Sequence, residues 1–314
     1  MIEIPKGPRQ KERYCSNRVF ARSARMGLEH LFRKVWPPNC RILLPSYIGI
    51  SPLEGSGVFD PIQACGIQYG FFRMNELLEA DFSDLEKQIE QSKPFAVLLI
   101  HYFGFPQPKT IEIKKLCESQ GIILIEDCAH TFESRIGSFQ VGTIGDVSIF
   151  SLHKILPCED GGILQINNSK FSVPSLEADQ ICAASTIETF CNAELSAISA
   201  QRRKNYLQLE KLVRSVRNVS VFYPRLNEET VPLNLPVLIK NKDRFELYKD
   251  LRNQNIGVTS LYHTLIPEIH AEDFPVSHQI SRNILNLPIH QDISKDQLEY
   301  LAAALDRSVN QTRS

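Results

Sequence analysis

The sequence has almost no charge imbalance: 35 Lys and Arg stand against 36 Asp and Glu, a formal net charge of −1. A chain so balanced encodes no global pull toward nucleic acid or an anionic membrane surface. It also lacks any run of about 18 uncharged apolar residues, so no membrane-spanning helix is expected. Met1-Ile2-Glu3-Ile4-Pro5-Lys6 has no apolar core of the signal-peptide kind, which makes the cytoplasm the expected compartment. The cysteines at 15, 40, 65, 117, 128, 158, 182 and 191 never fall into C-x-x-C spacing. That argues against zinc or dithiol sites and for buried thiols in a reducing cytosol. His101, His130, His153, His263, His270, His278 and His290 are scattered, without the helical pairing of zinc enzymes, so no metal is expected. A Walker or Rossmann phosphate cradle is missing too, because Gly142-Thr143-Ile144-Gly145-Asp146 leads into a strand-like run where a helix would be needed.

What is present is the composition of a globular protein: 43% hydrophobic and 23% charged residues, 15 Gly and 18 Pro among 314 residues. Disordered and fibrous classes are set aside, and the length suits about two domains. Phe20, Ala24, Leu28, Leu31, Phe32 and Val35 keep the spacing of one helix face, so a helix is expected over 19–36, stopped by Pro37-Pro38. Strand-like and helical stretches then alternate: 42–44, 67–72, a helix from Ser83 with the capping pattern Ser83-Asp84-Leu85-Glu86, 96–100, a helix at 108–120, and 122–125. Such alternation predicts a mostly parallel sheet. Short strands follow near Gly137, at 147–150 and at 162–166, then a long polar helix over 194–217. From there a second α+β unit is expected: strand 233–239, helix 243–254, strand 258–262 and a last helix from Lys295.

The apolar run Ile122 to Ile125 ends in Glu126-Asp127, and ligands of open α/β sheets sit beyond the carboxyl ends of strands. Lys154 lies between the apolar run ending at Phe150 and the pair Gly161-Gly162, where partial desolvation would lower its pKa and free the amine to attack a carbonyl. Each has a plainer reading alone: a carboxylate capping the next turn, and a lysine snorkelling along Ile155 and Leu156. Together, an Asp and a Lys at two strand ends of one sheet are what pyridoxal phosphate chemistry requires. The lysine holds the aldehyde, and the carboxylate keeps the pyridine nitrogen protonated so that the ring accepts electrons.

Ile125-Glu126-Asp127-Cys128-Ala129-His130, then Val141 to Asp146, then Phe150-Ser151 through Lys154 to Gly161-Gly162 resemble, in order and spacing, the core of the DegT/StrS-type aminotransferases. These are fold-type I pyridoxal-phosphate enzymes. Leu44-Pro45-Ser46-Tyr47, His101-Tyr102-Phe103-Gly104 and Leu285-Asn286-Leu287-Pro288-Ile289-His290 match as well, so the resemblance covers most of 20–305. It implies an α/β protein with a large, mostly parallel-sheet cofactor domain at 1–193 and a smaller C-terminal α+β domain at 194–314. The implied cofactor is pyridoxal 5'-phosphate and the implied assembly a homodimer. The implied reaction passes an amino group, from glutamate, to a keto-sugar that is commonly nucleotide-linked, for surface polysaccharide or glycoconjugate synthesis.

By position, the resemblance makes Lys154 the Schiff-base lysine and proton carrier and Asp127 the pyridinium partner. His130 becomes a contact to the cofactor ring region, and Ser151 a phosphate contact, although it stands only three residues before the lysine. Ser23-Ala24-Arg25 takes the place of the family's Ser-Gly-Thr at a helix start, where Arg25 either bonds phosphate or is a solvated helix residue. Asn192 matches an asparagine lent across the dimer interface to phosphate. Gly49 departs from the pattern, because the family has an aromatic ring there that stacks on the cofactor; Tyr47 takes over that role or nothing does. The stretch before the first helix and the segment after Gly162 are shorter than usual. Two alternatives follow: a non-catalytic member acting as sensor or scaffold, and a sugar dehydratase, in which histidine replaces the lysine. His153 adjoins Lys154, but Lys154 keeps the family's seven-residue distance to Gly161.

Overall fold

The computed structural model describes residues 17–172 and 175–310, so Met1 to Lys6 and Cys15 lie outside the described residues. The chain opens with a strand, β1 (Arg18–Ala21), and not with the helix expected from 19. That helix, α1 (Ala24–Val35), starts only where the Ser23 hydroxyl accepts the Met26 amide at 3.1 Å. The helical spacing is real but runs five residues too far back, because 18–21 finds a strand partner nearly 150 positions away in β9 (Gly162–Ile166).

The alternating run gives β2 (Arg41–Pro45), α2 (Phe59–Ala64), β3 (Gln68–Phe72), α3 (Phe82–Ser92), β4 (Ala96–Ile100), α4 (Thr110–Gln120) and β5 (Ile123–Asp127). A short ribbon, β6 (Arg135–Ile136) and β7 (Phe139–Gln140), and the strand β8 (Val147–Ser151) precede β9. One seven-stranded sheet results, in the order β1-β9-β8-β5-β4-β2-β3. Pairing is parallel from β3 through β2, β4 and β5 to β8, and turns antiparallel at β9. Every residue of β4 and β8 is buried, which is why these strands read as unbroken apolar or small runs instead of alternating ones. The cap of α3 is Asp81, whose carboxylate accepts the Asp84 amide at 3.1 Å, and Ser83 already lies within the helix.

The remainder forms α5 (Ala184–Asn192), α6 (Leu195–Val213), β10 (Val219–Val221), β11 (Asn234–Ile239), α7 (Arg244–Asn253), α8 (Pro275–Asn283), β12 (Ile284–Pro288) and α9 (Lys295–Asn310). The strands make an antiparallel sheet, β10-β11-β12. The strand expected at 258–262 shrinks to one bridge between Thr259 and Asn286, because Tyr262 takes a φ of 59° that ends the extended run. The third strand is supplied by 284–288 instead. One apolar cluster runs without a break from Leu28, Leu44 and Leu98 of the large sheet to Leu235, Leu287 and Leu305. Among the described cysteines, Cys117, Cys128 and Cys182 are buried, whereas Cys40, Cys65, Cys158 and Cys191 are only partly so. No described helix is long and apolar enough to cross a membrane.

Candidate active site

Because β2, β4, β5 and β8 are parallel, the loops after their carboxyl ends open along one edge of the sheet. Tyr47 follows β2, Tyr102 and Phe103 follow β4, Asp127 ends β5 with His130 three residues on, and Ser151 ends β8 with Lys154 three residues on. Asp127 is 5% exposed, and its Oδ1 accepts the Ala129 amide at 2.8 Å, so one oxygen does cap the turn. The Asp127 carboxylate makes no other hydrogen bond among the described residues. The partly buried Lys154 amine has no hydrogen bond or ion pair among them either. The two charges nevertheless act on each other. Burial lowers the pKa of Lys154 and Asp127 opposes it, while burial raises that of Asp127 and Lys154 opposes it less. Asp127 ends β5 and Lys154 follows β8, its parallel neighbour, so the carboxylate and the amine lie at one edge of the sheet and sense each other's charge.

His130 is buried, and its Nδ1 accepts the Phe103 amide at 3.1 Å, which leaves the proton on Nε2. Burial and the Lys154 charge hold its pKa well below the ordinary value, so the ring is neutral and Nε2–H is a donor. It stacks against Phe103 at 6.1 Å. Tyr47 is fully buried, edge-on to Tyr102 at 5.4 Å, with a hydroxyl that has no hydrogen-bond partner among the described residues, so it packs inward. The Tyr102 hydroxyl donates to the Tyr47 carbonyl at 2.6 Å.

Ser151 pairs across the sheet with Gly162, on which the start of α1 is seated. A Cβ on Gly162 would lie 2.7 Å from Ala24 Cα and closer still to Ala24 N, so glycine is required for Ser23 and Ala24 to reach this strand end. The Ser23 hydroxyl serves as the helix cap. Arg25 turns to the 51–60 loop, pairing with Asp60 at 3.2 Å and donating to the Glu54 carbonyl. Burial lowers the pKa of both Lys154 and His153, and the Glu54 carboxylate opposes that shift in each. Asn192 ends α5 and makes no hydrogen bond to any of these residues.

Two arrangements escaped the sequence analysis. Glu126, fully buried, accepts from His101 Nε2 (3.1 Å) and from the amides of Gly142 (3.1 Å), Ile144 (2.9 Å) and Gly145 (2.5 Å). Burial works to raise its pKa, but these donors outweigh it and hold it below the usual carboxylate value. Cys128 lies near this pair, yet the oxygens of Glu126 are already taken by N–H donors. The signal was the doublet Glu126-Asp127 itself, since two carboxylates in succession on a buried strand need separate sets of partners. The second is Arg202, 4% exposed, which donates to Gln291 Oε1 (3.0 Å), the Leu233 carbonyl (3.0 Å) and the Lys154 carbonyl (3.5 Å). Gln291 donates to the Ile155 carbonyl at 3.3 Å, so α6 and the segment after β12 grip the lysine-bearing turn.

A mostly parallel seven-stranded sheet, its loops carrying an Asp and a Lys at adjacent strand ends, is the fold-type I architecture of pyridoxal-phosphate aminotransferases. Residues 57–173 and 177–306 match the model of the DegT/DnrJ/EryC1/StrS aminotransferase family, and the chain belongs to that family. It is 24% identical over 242 residues to the dTDP-4-amino-4,6-dideoxy-D-glucose transaminase of Shigella dysenteriae, a match covering 67% of this chain and 65% of that enzyme. The chain thus spans just under two thirds of that curated relative. Among solved structures, the aminotransferase TlmJ from Streptoalloteichus hindustanus superposes with a TM-score of 0.78 at 21% identity, covering 93% of this chain and 86% of that one. The GDP-4-keto-6-deoxy-D-mannose-3-dehydratase of E. coli, with bound hydrated PLP, gives 0.72 at 18% identity, covering 92% and 87%.

Proposed function

We propose that the protein is a pyridoxal-phosphate-dependent aminotransferase that moves the amino group of glutamate onto the ketone of a nucleotide-linked sugar, releasing the 2-oxo acid and the amino-sugar. The reading rests above all on Asp127 ending β5 and Lys154 following β8, its parallel neighbour in the sheet, in a chain of the aminotransferase family. The site residues fit the cofactor, which when bound supplies an aldehyde that takes up amines and a ring that takes up electrons.

Asp127 would hold the ring nitrogen's proton through the oxygen not used by Ala129. His130 would offer its Nε2 hydrogen to the ring's oxygen substituent. Ser151 and the amides at the start of α1, at Ala24 and Arg25, would receive the phosphate, where a helix N-terminus favours an anion. Lys154, its pKa lowered by burial, gives up its proton more readily than a solvated lysine, which suits an amine that would attack a carbonyl and carry the proton taken from the donor's α-carbon. Tyr47 lies beneath as packing. We assign the large domain to 1–193 and the small one to 194–314, with a cytoplasmic homodimer as the working form and Asn192 reaching the partner's phosphate. Surface polysaccharide or glycoconjugate synthesis is the setting such a product serves.

Similarity to a dehydratase supports a second reading, but Lys154 keeps the position from which an amine acts. The test is the visible spectrum of the purified protein with added pyridoxal phosphate, beside Lys154→Ala. We expect a yellow band in the wild type that bleaches with glutamate and is absent from the variant. No band in either protein would overturn the enzyme reading in favour of a non-catalytic member. A band that glutamate leaves unchanged would overturn the choice of donor.

A further inference from the structure

Gly49 and Tyr262 are fitted to one another. A Cβ on residue 49 would lie 2.8 Å from Tyr262 Cδ1 and 3.0 Å from its Cα, so only glycine admits both the backbone and the ring of Tyr262. The two segments are joined by hydrogen bonds from the Ile50 amide to the Thr264 carbonyl and from the Ile266 amide to the Ile48 carbonyl, both 3.0 Å. Between them Tyr262 holds a φ of 59°, a left-handed backbone that is unfavourable for an aromatic residue. Such an outlier persists only where its surroundings over-determine it, and these cluster at functional sites.

The ring is surrounded on the sheet side by Tyr47 at 5.3 Å, Tyr102 at 5.4 Å, Phe103 at 5.9 Å and His130 at 5.8 Å. All four stand on the loops after β2, β4 and β5, the edge that carries Asp127. The Tyr262 hydroxyl has no hydrogen-bond partner among the described residues, and the side chain is only partly buried. Tyr262 thus stands at the strand-end edge that carries Asp127, in ring contact with His130, three residues beyond that carboxylate.

Resting on the aminotransferase reading, we propose that Tyr262, inserted beside Gly49 and His130 from the second half of the chain, is the aromatic wall against which the cofactor's pyridine ring lies. Planar aromatic groups gain from such offset contact, and residue 49 has no side chain to supply it. Tyr262 is a positioning residue, and its effect falls on cofactor affinity and environment.

The test titrates the full-length protein with pyridoxal phosphate alone, following absorbance and the visible circular dichroism of the bound cofactor. Tyr262→Phe keeps the ring and binds within about twofold of wild type. Tyr262→Gly, which accepts the same φ, raises Kd about tenfold, the upper range for one stacked ring, and alters the dichroic band. Gly49→Ala drives a methyl into the ring and does the same with Tyr262 intact, so it carries the test even where Tyr262→Gly folds poorly. Wild-type protein that binds no pyridoxal phosphate would sink the aminotransferase reading. Wild-type binding together with equal or tighter binding by Tyr262→Gly and Gly49→Ala would overturn the assignment of Tyr262 alone.

Discussion

Glu126 accepts four hydrogen bonds and Asp127, the next residue on the same buried strand, accepts one from Ala129. Alternation along β5 sends one carboxylate into a nest of donors and leaves the other with an oxygen to offer. Glu126→Ala should leave His101 and three amides unsatisfied, at about 3–5 kcal/mol of stability in urea unfolding at neutral pH. The native pKa of Glu126 lies below its ordinary 4.5, so its contribution is present above that value and is lost as pH falls through the native pKa. The acid limb of the stability curve should be shallower in the variant; an unchanged limb would show that the pair carries no such linkage.

Lys154 behaves in the opposite sense. Its native pKa is lowered from 10.5 by burial, so between the native value and 10.5 the unfolded chain binds more protons. The cofactor-free protein should therefore gain stability as pH rises through that window. Lys154→Met should remove this rise, as measured by thermal melts across alkaline pH. Parallel curves for the two proteins would mean the amine is as well solvated when folded as when unfolded.

Gly162 and Gly66 make a matched pair of glycines. Gly66 has a φ of +63°, and a methyl added there would meet nothing within 4 Å, so Gly66→Ala should cost about 1 kcal/mol, the backbone penalty alone. Gly162→Ala must push α1 off the strand, because the obstacle is Ala24 backbone. By that steric conflict it should cost more than about 3 kcal/mol and weaken cofactor binding. Comparable melting temperatures for the two variants would refute the seating of α1.

Arg25 and Asp60 are each 36% exposed, and an ion pair so placed contributes no more than about 1 kcal/mol. Arg25→Ala should melt within a few degrees of wild type. Since its guanidinium is already held by Asp60 and the Glu54 carbonyl, it should weaken pyridoxal phosphate binding less than Ser151→Ala does. A larger effect from Arg25→Ala would return the guanidinium to the phosphate.

The parallel sheet was legible because buried strands such as Ala96 to Ile100 are apolar runs bounded by helical spacing. Asp127 and Lys154 stood out as charges at the ends of such runs. What was hidden depended on distant partners. Val19 to Ala21 reads as the start of α1 until β9 is in place beside it, and Ser83 looks like a cap until Asp81 is seen to accept the Asp84 amide. Tyr262 reads in sequence as the end of a strand, since nothing local announces a left-handed tyrosine. Its reason lies at Gly49, more than 200 positions earlier. The absent side chain at 49 was visible in the sequence, but the residue that fits against it was not.

The carbonyls of Lys154 and Ile155 are held by Arg202 and Gln291, residues that belong to the second half of the chain. The turn bearing the amine is thus fastened to both halves at once. A shift of α6 against the large sheet would pull on the backbone that carries the amine, so the seam between the halves bears on where the Lys154 side chain is held.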